Sequence, residues 1–450
     1  MASSPILKVF ESSQVSPPAA TVGDMVLPLT FFDFLWLRQP PVQYLFFYEL
    51  SITQTQFVET LIPNLKHSLS LTLQHFIPFS GNLIIHPTST KKPEIRYVEG
   101  DSVAITFAES NLDFNKLTGN HPRDCGMFYH LIPLLGDADK TLDFTKIPLF
   151  SVQVTFFPNS GISIGMTNHH CLGDASTRFC FLKAWTSVAQ SGTDESFLSN
   201  GTFPLYDRVV NNPKLDESYL NLAKVETFNE YQPPKLCVPT HKVRATFILR
   251  RNVLNRLKTL VSTQVPTLVY VSSFTVACAY MWSCLANTLD DELQLFGFAI
   301  DCRSRMHPPI PPAYFGNCIG GCVTTERSTK LTGKDGFVTA AKLIGESLHK
   351  TLNDKDGIVK EMKPFKDMFP NGLPTTMTWV SGTPKLKFYE VDFGWGKPKK
   401  VETVSIDYNK AISMNACKEA SEDIEIGVCL PATKMETYVC IFEHGLETYI

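Results

Sequence analysis

The chain has 450 residues, 44% apolar and 19% charged, with 41 basic against 44 acidic side chains and a formal charge of -3. That composition excludes a disordered, fibrous or disulfide-stapled mini-protein and gives no charge-based reason for a nucleic-acid partner. At ~100–200 residues per domain, the length favours two large domains over a single core.

Twelve cysteines fall at irregular spacings, and residues 1–11 (MASSPILKVFE) lack the basic-then-apolar order of a signal segment. Reduced thiols and a cytoplasmic location are therefore expected. No apolar run reaches the ~20 residues of a membrane span, so no membrane insertion is expected. Cys318 and Cys322 lie four apart in NCIGGC, but no second pair at zinc-site spacing accompanies them, and no metal is expected.

Phe57, Leu61, Leu65 and Leu69 recur every four residues and predict helix over 55–71, with a kink or a division at Pro63. Alternating residues 150–156, a Pro158-Asn159-Ser160-Gly161 turn and alternating residues 162–167 predict a β-hairpin that runs directly into Asn168-His169-His170. Beyond Asp174, the spacing of Phe179, Leu182, Ala184, Trp185 and Val188 predicts a helix, capped by Asp174 or Ser176. The tract 200–240 is rich in turn formers and reads as a long crossover with local helix near 219–224. Then come a strand over 243–250, a short helix over 253–260, a helix over 272–284 and strands over 296–301, 402–406 and 424–428. A helix over 435–446 closes the chain, and this alternation in both halves predicts an α/β protein.

The strongest chemical signal is NHHCLGD at 168–174, two imidazoles and a carboxylate at a strand-to-helix junction. Taken alone, either histidine reads as readily as a packed, hydrogen-bonded core residue. Adjacent side chains on a strand point to opposite faces, so His169 and His170 do not readily converge on a metal. Neither GxSxG nor HExxH occurs, which argues against serine hydrolases and zinc peptidases. DFGWG at 392–396 has the glycines of a phosphate loop but not GxxxxGK[ST], and its Phe393 and Trp395 read as packing around tight turns.

Residues 170–174 (HCLGD) resemble the HxxxD motif of plant BAHD acyltransferases, and residues 392–396 resemble that family's DFGWG motif. Residues 314–318 (YFGNC) resemble a third motif, typical of the branch that acylates anthocyanins and other phenolic glycosides, malonyltransferases in particular. The resemblance runs from LPLTFFDFLW at 27–36 to EIGVCL at 425–430, with Ala175 where the wider family usually has Gly.

The resemblance implies an α/β fold of two similar-sized domains, like that of chloramphenicol acetyltransferase, with a channel at their interface. The first domain, 1–205, would carry HxxxD, and the second, 241–450, DFGWG. Residues 206–240 would form the crossover, and a segment near 370–395 could exchange into the first domain. The implied reaction is malonyl transfer from malonyl-CoA to a glucosyl hydroxyl, the 6''-OH, of an anthocyanin or related phenolic glucoside. His170 would be the general base, since a neutral imidazole with a reference pKa of ~6.5 can take the hydroxyl proton without an acyl-enzyme.

Asp174, the motif carboxylate and the second catalytic candidate, would pair with Arg303, and Arg303, Asp392, Gly394, Trp395 and Gly396 would be structural. Lys258, Ser272, Ser273 and Thr275 are the candidates for CoA, with helix capping as the alternative for the hydroxyls. Arg178 would meet the malonyl carboxylate or, alternatively, face solvent. Asp33, Trp36, Thr378 and Trp379 are candidates for the substrate channel. Lys397, Lys399 and Lys400 could attract CoA phosphates, but a solvated charge run is their plainer reading. No permanently bound cofactor is expected, malonyl-CoA being a cosubstrate, and the chain is expected to be a monomer. The alternatives are a BAHD acetyl- or hydroxycinnamoyl-CoA transferase and an inactive protein that binds phenolic ligands.

Overall fold

The structure, a computed structural model, describes residues 6–86, 91–210, 212–224, 238–289, 291–353, 376–409 and 411–449. The alternating segments form the hairpin: Phe150–Phe157 pairs antiparallel with Gly161–Asn168 across a turn in which Asn159 has φ +59°. This hairpin is the middle of a six-stranded sheet in the order Leu7–Val15, Val103–Ser110, Phe150–Phe157, Gly161–Asn168, Val42–Glu49, Lys400–Thr403. Both faces are covered, which is why Val42–Glu49 reads as a continuous apolar run rather than an alternating one. Phe46 and Ile164 join the main core, together with residues of helices Ile62–Leu73 and Ala175–Ser191. Leu45, Phe47, Phe114, Phe157 and Val404 form a second cluster.

The second large sheet has seven strands, ordered Ile319–Arg327, Leu293–Asp301, Thr376–Ser381, Ala411–Ala416, Ile424–Pro431, Lys242–Leu249, Arg123–Asp124. Helix Ser273–Ala286 is apolar on nearly every side because it is buried from Thr275 to Ala286. It packs against helices Arg251–Gln264, Gly336–Asn353 and Ala432–Tyr449. A smaller five-stranded sheet orders Met25–Pro28, Glu94–Tyr97, Asn82–Ile85, Thr145–Pro148 and Asp139–Lys140.

Each large sheet takes a strand from the opposite half of the sequence. The segment expected to exchange, 370–395, divides: its end from Phe388 to Trp395 packs on the first sheet, where Tyr48 Oη donates to the Val391 carbonyl at 2.7 Å and Phe388 stacks on Tyr44. Thr376–Ser381 stays in the second sheet between Leu293–Asp301 and Ala411–Ala416, and it is Lys400–Thr403 that pairs with Val42–Glu49. Residues 370–375 lie outside the described residues. Charge explains the crossing: Glu402 pairs with Arg123 at 2.7 Å and Arg244 at 3.6 Å, and Lys400 pairs with Glu425 at 3.1 Å. Burial alone would raise the Glu402 pKa, but Arg123, Arg244 and Lys400 hold it below the ordinary value. Lys400 is thus 3% exposed rather than solvated, and Lys399 pairs with Glu49, while Lys397 remains exposed.

The irregularity expected at Pro63 lies just ahead of it, as a π turn, Phe57–Leu61, between Gln54–Gln56 and Ile62–Leu73. Pro63 has no N–H for the Glu59 carbonyl, and the chain widens so that Ile62 N–H donates to Phe57 C=O instead. The crossover holds a longer helix than expected, Pro213–Lys224, and residues 225–237 of that tract lie outside the described residues.

Candidate active site

Strand Gly161–Asn168 ends in His169, which opens a 3-10 turn, His170–Leu172. Gly173 then passes so close to the next helix that a Cβ there would lie 2.7 Å from Thr177 Cγ2, and its φ of +155° suits glycine. Asp174 caps helix Ala175–Ser191, accepting from Ser176 N–H at 3.0 Å and Thr177 N–H at 3.2 Å. The same carboxylate accepts from Arg303 Nη1 at 2.8 Å, Arg303 Nη2 at 3.1 Å and Cys318 N–H at 3.1 Å. Its oxygens are fully committed to the cap and to Arg303. Burial opposes the Arg303 charge, but Asp174 and Asp301 outweigh it and keep the guanidinium protonated. Arg303 also donates to the carbonyls of Tyr314 and Gly316, each at 3.2 Å.

Asn317, from the YFGNC segment, extends this clamp by donating from Nδ2 to the His170 carbonyl and to Asp33 Oδ1, both at 3.0 Å. Asp33 was a channel candidate on sequence grounds; it is instead 0% exposed, and its other oxygen accepts from Thr30 N–H at 2.9 Å and Thr30 Oγ1 at 3.0 Å. It ties the Phe31–Phe34 turn to the histidine loop rather than offering a carboxylate to a ligand.

The His170 ring is half-buried and lies flat on Trp36, with centroids 3.9 Å apart and planes 9° apart. Burial, reinforced by the nearby Arg178 charge, lowers its pKa to about 3 despite its own carbonyl and Asp174, so the imidazole is neutral near pH 7. His169 is a core residue: it is 0% exposed, accepts from Cys171 N–H at 3.2 Å, and is pushed down by burial to about 4. Cys171 donates its S–H to the Asp33 carbonyl at 3.4 Å, and burial pushes its thiol well above the usual range, so it is a poor nucleophile.

Arg178 does not face solvent. It is 9% exposed, donates from Nη1 to the Gly173 carbonyl at 2.7 Å, and sits 5.6 Å over the Tyr44 ring. Its Nε is buried without a hydrogen-bond partner, and among the described residues no carboxylate pairs with it. A desolvated cation beside a neutral imidazole is thus available to an anionic group.

The remaining candidates divide. Lys258 Nζ lies 3.3 Å from Ser273 Oγ, while Ser272 caps helix Ser273–Ala286 by accepting from Thr275 N–H at 3.1 Å. Capping accounts for Ser272 and for Thr275, which is fully buried; Lys258 and Ser273 stay half-exposed beside each other. Thr378 is buried in Thr376–Ser381, and Trp379 covers Gly297, where a Cβ would come 2.7 Å from the indole. In DFGWG, Asp392 Oδ1 accepts from Gly394 N–H at 2.8 Å and Gly396 N–H at 2.9 Å, with both glycines at positive φ. Phe393 stands edge-on to Trp185 at 4.9 Å and Trp395 edge-on to Tyr48 at 5.4 Å, so the motif braces helix Ala175–Ser191 and the first sheet.

Among the described residues, one trio, Cys125, Asp407 and Cys429, is close enough to share a metal ion, and Arg244 Nη2, 3.5 Å from Asp407, already supplies positive charge there. No described helix is long and apolar enough to cross a membrane. Asn317 and Thr177, whose hydroxyl bonds Gly316 at 3.0 Å, escaped the residue-by-residue reading. The YFGNC motif covers Asn317, whereas nothing in the sequence marks Thr177.

A family model described as the Transferase family matches residues 7–445. The chain is 53% identical to a malonyl-coenzyme A:anthocyanin 3-O-glucoside-6''-O-malonyltransferase of Dahlia pinnata, over 99% of each chain. It is 41% identical to phenolic glucoside malonyltransferase 1 of Nicotiana tabacum, over 98% of this chain and 99% of that protein. The crystal structure of vinorine synthase shares the fold, with a TM-score of 0.71 at 18% identity over 96% of both chains.

Proposed function

This chain belongs to the BAHD acyltransferase family and is closely related to the anthocyanin and phenolic-glucoside malonyltransferases, and from that premise we propose that it moves a malonyl group from malonyl-CoA to a glucosyl hydroxyl, the 6''-OH, of an anthocyanin or related phenolic glucoside. The observation that carries the reading is the pairing of a neutral imidazole, His170, with a buried guanidinium, Arg178, that has no carboxylate of its own among the described residues.

In the proposed mechanism two substrates meet at His170, in a channel between the two large sheets. The imidazole accepts the proton of the glucosyl hydroxyl as its oxygen attacks the thioester carbonyl, giving a tetrahedral oxyanion. Collapse expels the CoA thiolate, which takes the proton back from the imidazolium, leaving the malonyl ester, free CoA and a neutral His170. Cys171, the nearest thiol in sequence, is buried and held protonated, which supports direct transfer over an acyl-cysteine. Arg178 would hold the distal malonyl carboxylate through a charge-assisted hydrogen bond from its free Nε. Asp174 and Arg303 act at a distance, fixing the loop between the strand and the helix. Lys258 and Ser273 would meet the CoA arm.

A panel of malonyl-, acetyl- and coumaroyl-CoA against anthocyanidin 3-O-glucosides and simple phenolic glucosides tests this, with products identified by mass. A malonyl ester on the sugar is the expected product. Turnover only with neutral donors would replace the malonyl reading with that of a BAHD acetyl- or hydroxycinnamoyltransferase. Ligand binding without CoA release would make the chain a binding protein.

A further inference from the structure

A histidine that shuttles protons usually has its second ring nitrogen fixed by a hydrogen bond, which sets both tautomer and orientation. For His170 that bond is poor: its buried Nδ1 has no well-aligned partner, its own carbonyl being the contact that raises its pKa, and Asp174 is spent on the helix cap and Arg303. The contact that does bear on the ring is the indole of Trp36, nearly parallel at 3.9 Å. Both halves of that stack hang from one residue. The Asp33 carbonyl accepts from Trp36 N–H at 3.0 Å and from the Cys171 thiol at 3.4 Å. The Asp33 carboxylate reaches the His170 carbonyl through Asn317 Nδ2. Phe31 N–H, at the start of the same turn, is held by Asp216 Oδ1 at 2.7 Å.

We propose that Trp36 is a positioning residue for the base: its indole reinforces the poor contact of the ring with its own carbonyl, keeping the His170 ring in one plane with Nε2 toward the acceptor and closing one ring face to water. Trp36 therefore does not offer that face to a planar aglycone. The inference rests on His170 being the base. Its geometry explains why a half-buried tryptophan is tied, through Asp33 and Asn317, to segments nearly 300 residues apart in sequence. It also agrees with the low basicity of the ring, which burial dominates.

The test compares Trp36→Phe, which keeps an aromatic face, with Trp36→Leu, which keeps apolar bulk without one. Misplacing a reacting group by about 1 Å costs on the order of 100-fold, so Trp36→Leu should lose roughly 10- to 100-fold in kcat with both KM values changed less than about 3-fold. The acid limb of its kcat/KM profile should move up toward the ordinary imidazole value of ~6.5. Trp36→Phe should recover most of kcat and leave the limb in place. Unchanged kcat with a raised acceptor KM would make Trp36 a substrate platform, and equal losses in both variants with an unmoved limb would make it merely structural; either result overturns the proposal. A second measurement needs no substrate: His170 ring-proton resonances, assigned by difference from His170→Gln. In the wild type they should show the upfield shift of a stacked ring and not titrate between about pH 5 and 8. In Trp36→Leu the shift should vanish and titration appear. Resonances indifferent to the substitution would refute the stack, even if no donor supported turnover and the functional reading itself had failed.

Discussion

Replacing Arg178 by Gln removes a buried charge while keeping a polar side chain of similar reach. Malonyl and acetyl thioesters present much the same carbonyl to His170, so Arg178 can separate them only through the distal carboxylate. A hydrogen bond to a charged group contributes about 1.5–3 kcal/mol, which corresponds to ~10- to 150-fold in kcat/KM. The upper part of that range is favoured because Arg178 is 9% exposed and its Nε has no internal partner, so water screens it little. Loss of the Nη1 bond to Gly173 affects both donors alike and cancels in their ratio. The Arg178 charge also depresses His170, so its removal should raise the basicity of the imidazole and spare acetyl transfer further. The assay is kcat/KM for malonyl-CoA and acetyl-CoA with one glucoside acceptor, in wild type and Arg178→Gln. A malonyl-specific fall of at least about 10-fold is expected. Equal falls for both donors would refute the carboxylate contact and make Arg178 a structural residue of the loop.

Asp174→Ala and Arg303→Ala break the same buried bidentate pair, so a double-mutant cycle read through kcat/KM should show coupling of about 0.5–3 kcal/mol; simple addition of the two effects would contradict the clamp. Trp395 is half-buried, so Trp395→Ala should cost about 2 kcal/mol in a Tm or urea measurement, less than the ~3–5 of a fully enclosed aromatic, and should leave the donor KM unchanged. His169 is buried neutral with its pKa lowered from 6.5 to about 4, so its stabilisation is complete above pH 6.5 and is lost as pH falls toward 4. Over that window the loss is on the order of 3 kcal/mol, and Tm plotted against pH should fall less steeply in His169→Gln.

The hairpin, the histidine loop and the following helix are legible in the sequence because their signals are local. Period-two alternation brackets a Pro-Asn turn, and Asp174 caps the helix that its position announces. The apolar helix Ser273–Ala286 is legible for the same reason. What the sequence hides depends on partners far along the chain. Lys400 looks like part of a solvated charge run because nothing nearby marks Glu425, or the strand exchange that buries both. Asp33 and Trp36 look like residues of the substrate channel, since only the folded chain brings Asn317 to one and His170 to the other. Arg178 is the intermediate case. Helical spacing returns it to the Asp174 side, but its burial over Tyr44 comes from the neighbouring sheet.

The central claim, direct malonyl transfer with His170 as base, is tested most directly by a quenched reaction with malonyl-labelled CoA thioester, run with and without a phenolic glucoside acceptor, in wild type and His170→Ala. The account predicts label in a sugar ester only when acceptor is present, none on the protein at any time, and a loss of about 100- to 10,000-fold in His170→Ala with an unchanged Tm. Label retained on wild-type protein in the absence of acceptor, or transfer at the wild-type rate by His170→Ala, would contradict it.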